Sequence, residues 1–171
     1  MKKVGIMLDE IKNQMYGYEI IKIKKENFIS IFEVYGTNKD FFLITQGEMA
    51  TVEVSIKDID ALPPNCEIEQ KTFISIWKEG KVIGILDLIE KYPTQNSFWI
   101  GLLLVHGSLH NKRIGSIILN TVLNAGKKAG YKTVQLGVLN GNNRGMKFWE
   151  KHGFSILRYS ENIVIMGKKF C

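Results

Sequence analysis

Between His106 and Ser116 the chain reads HGSLHNKRIGS. Two glycines, two histidines, three serine or asparagine residues and two adjacent cations stand together. The run FWIGLLLV, Phe98 to Val105, precedes this loop, and a helical pattern follows it. A flexible turn that opens a helix is a ready anion site, because the first amides of a helix lack partners and carry partial positive charge. Amides from Asn111 to Ser116 can converge on one group of oxygens. Lys112 and Arg113 add full charge, and Gly115 removes a Cβ from the approach. The loop is neither GxxxxGK[ST] nor GxGxxG, so the nucleotide-binding loops that carry those patterns are not its model. Read alone, it is more simply a set of exposed polar residues at the start of a helix.

Other reactive groups nearby form weaker patterns. His106 and His110 are four apart, as in a zinc pair, but Gly107 and Ser108 between them argue for loop, and no HExxH occurs. Ser108 lacks the GxSxG setting of a nucleophile. No metal site is expected.

The 171 residues suit one well-packed core, and 45% of them are hydrophobic. A net charge of +6 favours anionic partners, a phosphate-bearing cofactor among them. The cations are scattered and no RNA-binding aromatic signature occurs, which disfavours nucleic acid. Cys66 and Cys171 are far apart in sequence and no CxxC occurs, so a disulfide scaffold is not expected and a reducing, cytoplasmic setting fits. The opening MKKVGIMLDEIKN is cut by Asp9 and is too short for a signal-peptide core. The eight residues from Phe98 to Val105 are too few to span a bilayer, so no membrane is expected.

The elements that must position the loop follow from periodicity. Tyr18 to Lys25 reads as a strand. Asn27 is placed to cap a helix through Phe28, Ile31, Phe32 and Tyr35, which Gly36 ends. Lys39 to Pro64 is ambiguous, with a strand at Phe41–Thr45 and a helix at Lys57–Leu62 as its reading. Lys71 to Glu90 forms a hairpin around Lys78-Glu79-Gly80-Lys81. Ser97 to Val105 is a third strand, without alternation and so buried on both faces. Trp77, Phe98 and Trp99 read as core. Ile114, Ile117, Ile118, Thr121, Val122 and Ala125 trace one stripe of a helix that Gly130 stops. Lys132 to Val138 is the next strand, so strand, helix and strand make a right-handed βαβ unit. Asn140-Gly141 reads as a strand-to-helix joint. Asn142 caps a short helix carrying Gly145, Phe148, Trp149 and His152, and Phe154–Tyr159 and Asn162–Lys168 close the chain as an antiparallel pair.

The segment NGNNRGMKFWEKHGF resembles the end of the GNAT superfamily of acyl-CoA N-acyltransferases, whose pattern there is close to N-x-x-A-x-x-F-Y-x-K-x-G-F. Asn142, Gly145, Phe148, Trp149, Lys151, Gly153 and Phe154 occupy those positions. The opening loop stands where the family has Q/R-x-x-G-x-G/A, here His110 to Gly115. The likeness covers roughly Lys71 to Phe154. It implies a single α/β (α+β) domain over residues 1–171, with a mixed, mostly antiparallel central sheet, a splayed parallel strand pair and helices on both faces. It also implies acetyl-CoA as co-substrate: pantetheine along the backbone of Leu103, Leu104 and Val105, the diphosphate on His110, Asn111, Lys112, Arg113, Ile114, Gly115 and Ser116, and Asn142 reaching the pantetheine from the other side.

Three positions depart from the family. His110 replaces Gln or Arg. Arg113 replaces the first glycine, at a cost of about 1–2 kcal/mol if that slot needs positive φ. Trp149 stands where many relatives have the Tyr thought to protonate the departing thiolate, and an indole N–H is a donor without being a usable acid. The Glu that often serves as base on the strand before the loop is also absent, the aligned residues being Phe98-Trp99-Ile100. Asp87, Glu90 and Tyr92 on the neighbouring strand and its turn are the substitutes. Asp87 interrupts the apolar run GILDLI and reads equally as a base or as an edge or end-of-strand carboxylate in water. Glu90 reads more simply as a surface carboxylate, and His106, just past a strand end, reads more simply as structural than as a base. The expected activity is acetyl transfer by direct attack of a primary amine, of a small molecule or a protein, in a ternary complex. A non-catalytic acetyl-CoA-binding module is the alternative, and a basic nucleic-acid-binding domain a lesser one. A homo-oligomer is compatible with the sequence.

Overall fold

A computed structural model describes residues 5–171. Lys2 and Lys3 of the opening stretch lie outside the described residues. One seven-stranded sheet runs β1-β2-β3-β4-β5-β7-β6. Its strands are β1 (Glu19–Lys22), β2 (Lys71–Lys78), β3 (Lys81–Glu90), β4 (Ser97–Val105), β5 (Thr133–Leu139), β6 (Ser155–Tyr159) and β7 (Ile163–Lys169). All neighbours are antiparallel except β4 and β5. The hairpin, the βαβ unit and the closing pair thus form as the turn signals and periodicity indicate.

Side chains alternate across the strands and build two cores. Ile74, Ile76, Leu86 and Leu88 face one side, where α1 (Ile6–Gln14) and α5 (Ile114–Lys128) contribute Met7, Ile11, Ile118, Leu119 and Val122. Phe73, Val82, Ile85 and Leu104 face the other, against Ile31, Val34 and Tyr35 of α2 (Ile29–Gly36), Phe42 of α3 (Lys39–Gln46) and Ile59 of α4 (Val52–Asp60). Met146, Phe148 and Trp149 of α6 (Asn143–Lys151) pack on the first core.

The N-terminal half departs from the sequence reading. Phe41–Thr45 is a helix, because burying Phe42 against Tyr35, with ring centroids 4.7 Å apart, needs helical spacing; it leaves Leu43 and Ile44 half exposed. The helix expected at Lys57–Leu62 starts at Val52, where the Thr51 hydroxyl accepts from the Val54 amide at 3.2 Å, and it ends at Asp60, ahead of Pro63. Asn27 does not cap α2. Its side chain accepts from the Lys24 amide at 2.7 Å and donates to the Lys22 carbonyl, tying a 3-10 turn to β1. Helix α1 was hidden in the opening stretch, where only Met7 and Ile11 carry the i, i+4 core signal.

The junction of α2 and α3 is fastened to the end of β4. Asn38, 7% exposed, donates to the carbonyls of Val34 at 2.8 Å and Val105 at 3.1 Å. The Thr37 hydroxyl accepts from the Gly107 amide at 2.8 Å.

Candidate active site

The parallel ladder between β4 and β5 is short. It pairs Ser97 with Thr133, Phe98 with Val134, Trp99 with Gln135 and Ile100 with Leu136, then stops. The cause lies on the other edge of β4. Asp87 pairs with Leu102 and Leu88 with Ile100, so Gly101 is an extra residue opposite β3. A bulge bends its strand and sharpens the local twist. Here it turns β4 away from β5 at the point where their pairing ends. A Cβ on Gly101 would lie 2.8 Å from Asp87 Oδ2, so the position has no room for a side chain. An isolated glycine inside a strand pattern is the signal that marks such a bulge.

Beyond the bulge, the edge of β4 can be read from its register. The His106 amide donates to the Ile83 carbonyl at 2.8 Å. Antiparallel pairing alternates, so the backbone groups of Leu104 and Leu102 also point at β3, and those of Leu103 and Val105 point into the gap. This corrects the expectation for Leu104, whose amide belongs to the sheet. The Val105 carbonyl is met by Asn38 and by His110 Nε2 at 3.0 Å. His110 thus secures the strand end.

A cleft of about 1000 Å³ fills the gap. Leu103, Leu104, Val105, His110, Asn111, Arg113, Ile114, Gly115, Ser116, Asn142 and Trp149 all line it, whereas Lys112 is exposed and not among the lining residues. The amides of Ile114, Gly115 and Ser116 open α5 without intrahelical acceptors. Asn111 and Arg113 take left-handed φ values of 63° and 61°. Gly115 does not, and a Cβ on it would meet Phe148 and Val105 at ordinary contact distances of 3.4–3.5 Å. Ser116 shares its hydroxyl with His152. His152 Nδ1 donates to the Phe148 carbonyl at 2.7 Å, so Nε2 of the neutral ring accepts from Ser116 Oγ at 3.0 Å. That leaves the Ser116 amide to face the cleft. Asn142 Oδ1 caps α6 by accepting from the Gly145 amide at 2.9 Å.

The model of the acetyltransferase (GNAT) family matches residues 39–154. The chain belongs to the GNAT family. Its fold is also that of solved GNAT proteins. An acetyltransferase from Thermus thermophilus superposes with a TM-score of 0.77 at 16% identity, over 90% of this chain and 97% of that one. The PaiA N-acetyltransferase of Thermoplasma acidophilum, in complex with coenzyme A, gives 0.65 at 21% identity, over 90% and 99%. The ribosomal-protein-S18-alanine N-acetyltransferase of Escherichia coli gives 0.63 at 11%, over 89% and 93%. Among curated proteins no sequence match was found.

Within this GNAT domain the two carboxylates singled out on β3 have separate fates. Glu90 is fully buried and accepts from the Gly5 amide at 2.7 Å and from the Tyr131 hydroxyl at 3.2 Å. It is neither a surface group nor part of the cleft, and it anchors the start of α1. Tyr92 packs edge-on against Trp99, with centroids 5.5 Å apart. Asp87 lies under the bulge. Its Oδ2 accepts from Lys71 Nζ at 2.7 Å, and the Lys71 side chain is 2% exposed. Burial raises the Asp87 pKa, Lys71 pulls it back, and nearby Asp58 raises it again, leaving it at about 6.

Several residues of the cleft are invisible to motif reasoning. Lys39 and Arg144 line it beside Arg113 and Lys151, so four cations face the single acid Asp40 among its lining residues. Lys39 and Arg144 sit on α3 and α6, and only the packing of those helices brings them together. Arg113 holds a left-handed backbone conformation, φ 61°, that costs a non-glycine residue about 1 kcal/mol. Replacing it with glycine relieves a left-handed non-glycine residue worth about 1 kcal/mol. The Arg113→Gly protein is therefore expected to melt a few degrees higher while binding coenzyme A more weakly. Calorimetric melting and titration check both.

Proposed function

We propose that this GNAT domain transfers the acetyl group of acetyl-CoA to a primary amine by direct attack in a ternary complex. The observation that carries the reading is the interrupted ladder: β4 and β5 stop pairing at Ile100 and Leu136, and the backbone groups of Leu103 and the amide of Val105 face the gap. Backbone groups left without partners are costly, and a ligand with amides of its own satisfies them as a further strand would. Pantetheine has such amides. The opening amides of α5 and the cations Lys39, Arg113, Arg144 and Lys151 suit the phosphates of the same molecule.

Bound acetyl-CoA supplies an activated thioester carbon. The Val105 amide is the donor best placed for charge developing on the thioester oxygen. Asp87 is the proposed base. It takes one proton from the bound ammonium to give the neutral amine, which attacks. As the new C–N bond forms the C–S bond breaks, and the amine's second proton leaves through water. The sulfur leaves as a thiolate and takes its proton from water, since Trp149 offers no acid proton.

The test begins with binding. Acetyl-CoA at one hundred times its Kd should stabilise the fold by about 2.7 kcal/mol, read as a higher Tm. ATP at the same concentration should give much less, because it lacks the pantetheine arm. Thiol release with a panel of amines then separates a transferase from a module that only holds the cofactor. Binding without thiol release would favour the module.

A further inference from the structure

We propose that the smaller cavity on the opposite side of the bulge is the acceptor pocket, and that it selects a compact primary amine carrying no carboxylate. This rests on the transfer reaction proposed above. The cavity has a volume of about 250 Å³, and Phe41, Gly101 and Leu102 line both it and the cofactor cleft. A molecule in it therefore meets the thioester where β4 bends. The volume corresponds to roughly eight water-sized groups, which admits a small amine body and excludes a folded peptide segment.

Its charges are unbalanced. Asp58 and Asp87 both line the cavity. Lys71 neutralises Asp87 and also donates to the Ala61 carbonyl at 2.9 Å. Asp58 accepts from the Tyr35 hydroxyl at 2.7 Å, and among the described residues no cation lies within ion-pair distance of it. One negative charge is left over. Asp87 Oδ1 is moreover buried with no hydrogen-bond partner among the described residues. A buried acceptor without a donor is costly, and a small pocket beside it invites a ligand that donates. An ammonium brings both the missing charge and the missing proton donors. Phe41, Phe42 and Phe73 wall the cavity, and aromatic faces attract cations as well as apolar bodies. A carboxylate on the same small molecule would lie beside Asp58 and Asp87, and like charges at that range repel. Selection thus comes from repulsion as much as attraction.

Matched pairs test this: 2-phenylethylamine against phenylalanine, and 1,5-diaminopentane against lysine, each differing by one carboxylate. With saturating acetyl-CoA, kcat/KM for at least one amine should exceed that of its amino acid by 10-fold or more. Asp58→Asn keeps an acceptor for Tyr35, and it should lower kcat/KM for the amine 10-fold or more and narrow the ratio, with the acetyl-CoA melting shift unchanged. Amino acids used as well as the amines, or a ratio untouched by Asp58→Asn, would overturn the proposal. If no acceptor releases thiol, calorimetric titration of the four compounds into the coenzyme A complex decides the pocket independently. Amine binding weakened by Asp58→Asn then supports it while transfer fails, and no binding of either amine sinks it.

Discussion

Asp87→Asn should lower kcat by about 10²–10⁴-fold, the usual contribution of a positioned general base, while leaving coenzyme A binding intact. The asparagine preserves the shape and an acceptor for Lys71 but cannot take a proton. It also leaves the Lys71 charge buried and unpaired, so stability falls, by up to about 3–5 kcal/mol if the pair is fully broken. Melting curves and the acetyl-CoA shift must therefore accompany the rate measurement. An unchanged kcat in folded protein would remove Asp87 from the chemistry. The pH profile gives a second reading. Asp87 must be ionised to act, so the rate of the wild type should rise with pH through about 6 and level off above it. Stability moves the other way. The folded pKa lies above the unfolded one, so the native state binds the proton more tightly. The contribution of Asp87 is greatest below about 3.8 and is lost as pH rises toward 6.

Gly101→Ala is the second change with a large expected effect. The new methyl would stand 2.8 Å from Asp87 Oδ2 and 3.2 Å from its Cγ. Asp87 is short, has only 16% of its side chain exposed and is held by Lys71, so it cannot swing aside freely. Overpacking of this kind costs about 1–3 kcal/mol. Because the displaced atom belongs to the proposed base, kcat should fall at least 10-fold as well. A native melting temperature with native kcat in Gly101→Ala would show that the bulge and Asp87 are not in register as described. The two variants also probe one contact from opposite sides, so their effects should not add.

How far the sequence led depended on how local the controlling physics was. The hairpin around Lys78–Lys81 and the Asn142 cap are set by residues close in sequence, and each was legible. The α5 stripe was legible only in part, since Ile118, Val122 and Ala125 are core but Ile117 is exposed and Leu119 and Leu123 complete the buried face. The loop from His110 to Ser116 was legible as the turn that opens α5, because a helix end is marked by residues close to it, and the structure puts most of that loop on the wall of the cleft. The N-terminal half was not, because Phe42 and Ile59 owe their helices to partners on other elements and little to their own periodicity. Glu90 looked like a surface or catalytic group, and nothing around it in the sequence marks Tyr131 and Gly5 as its partners. Leu104 and Leu103 are indistinguishable as letters. Only the His106–Ile83 bond fixes which of them shows its backbone to the cleft. The cations Lys39 and Arg144 come from helices that the motif does not describe as partners.

The four-residue ladder between β4 and β5 divides the sheet into a four-stranded and a three-stranded wing that share one narrow seam. A molecule that bridges the open part of that seam becomes, for as long as it stays, a structural member of the sheet. In the proposed transfer, each turnover has to unstitch it to let the spent thiol go. On that reaction, rigidity and product escape would be two readings of a single joint, and a change that tightens the seam is expected to slow release.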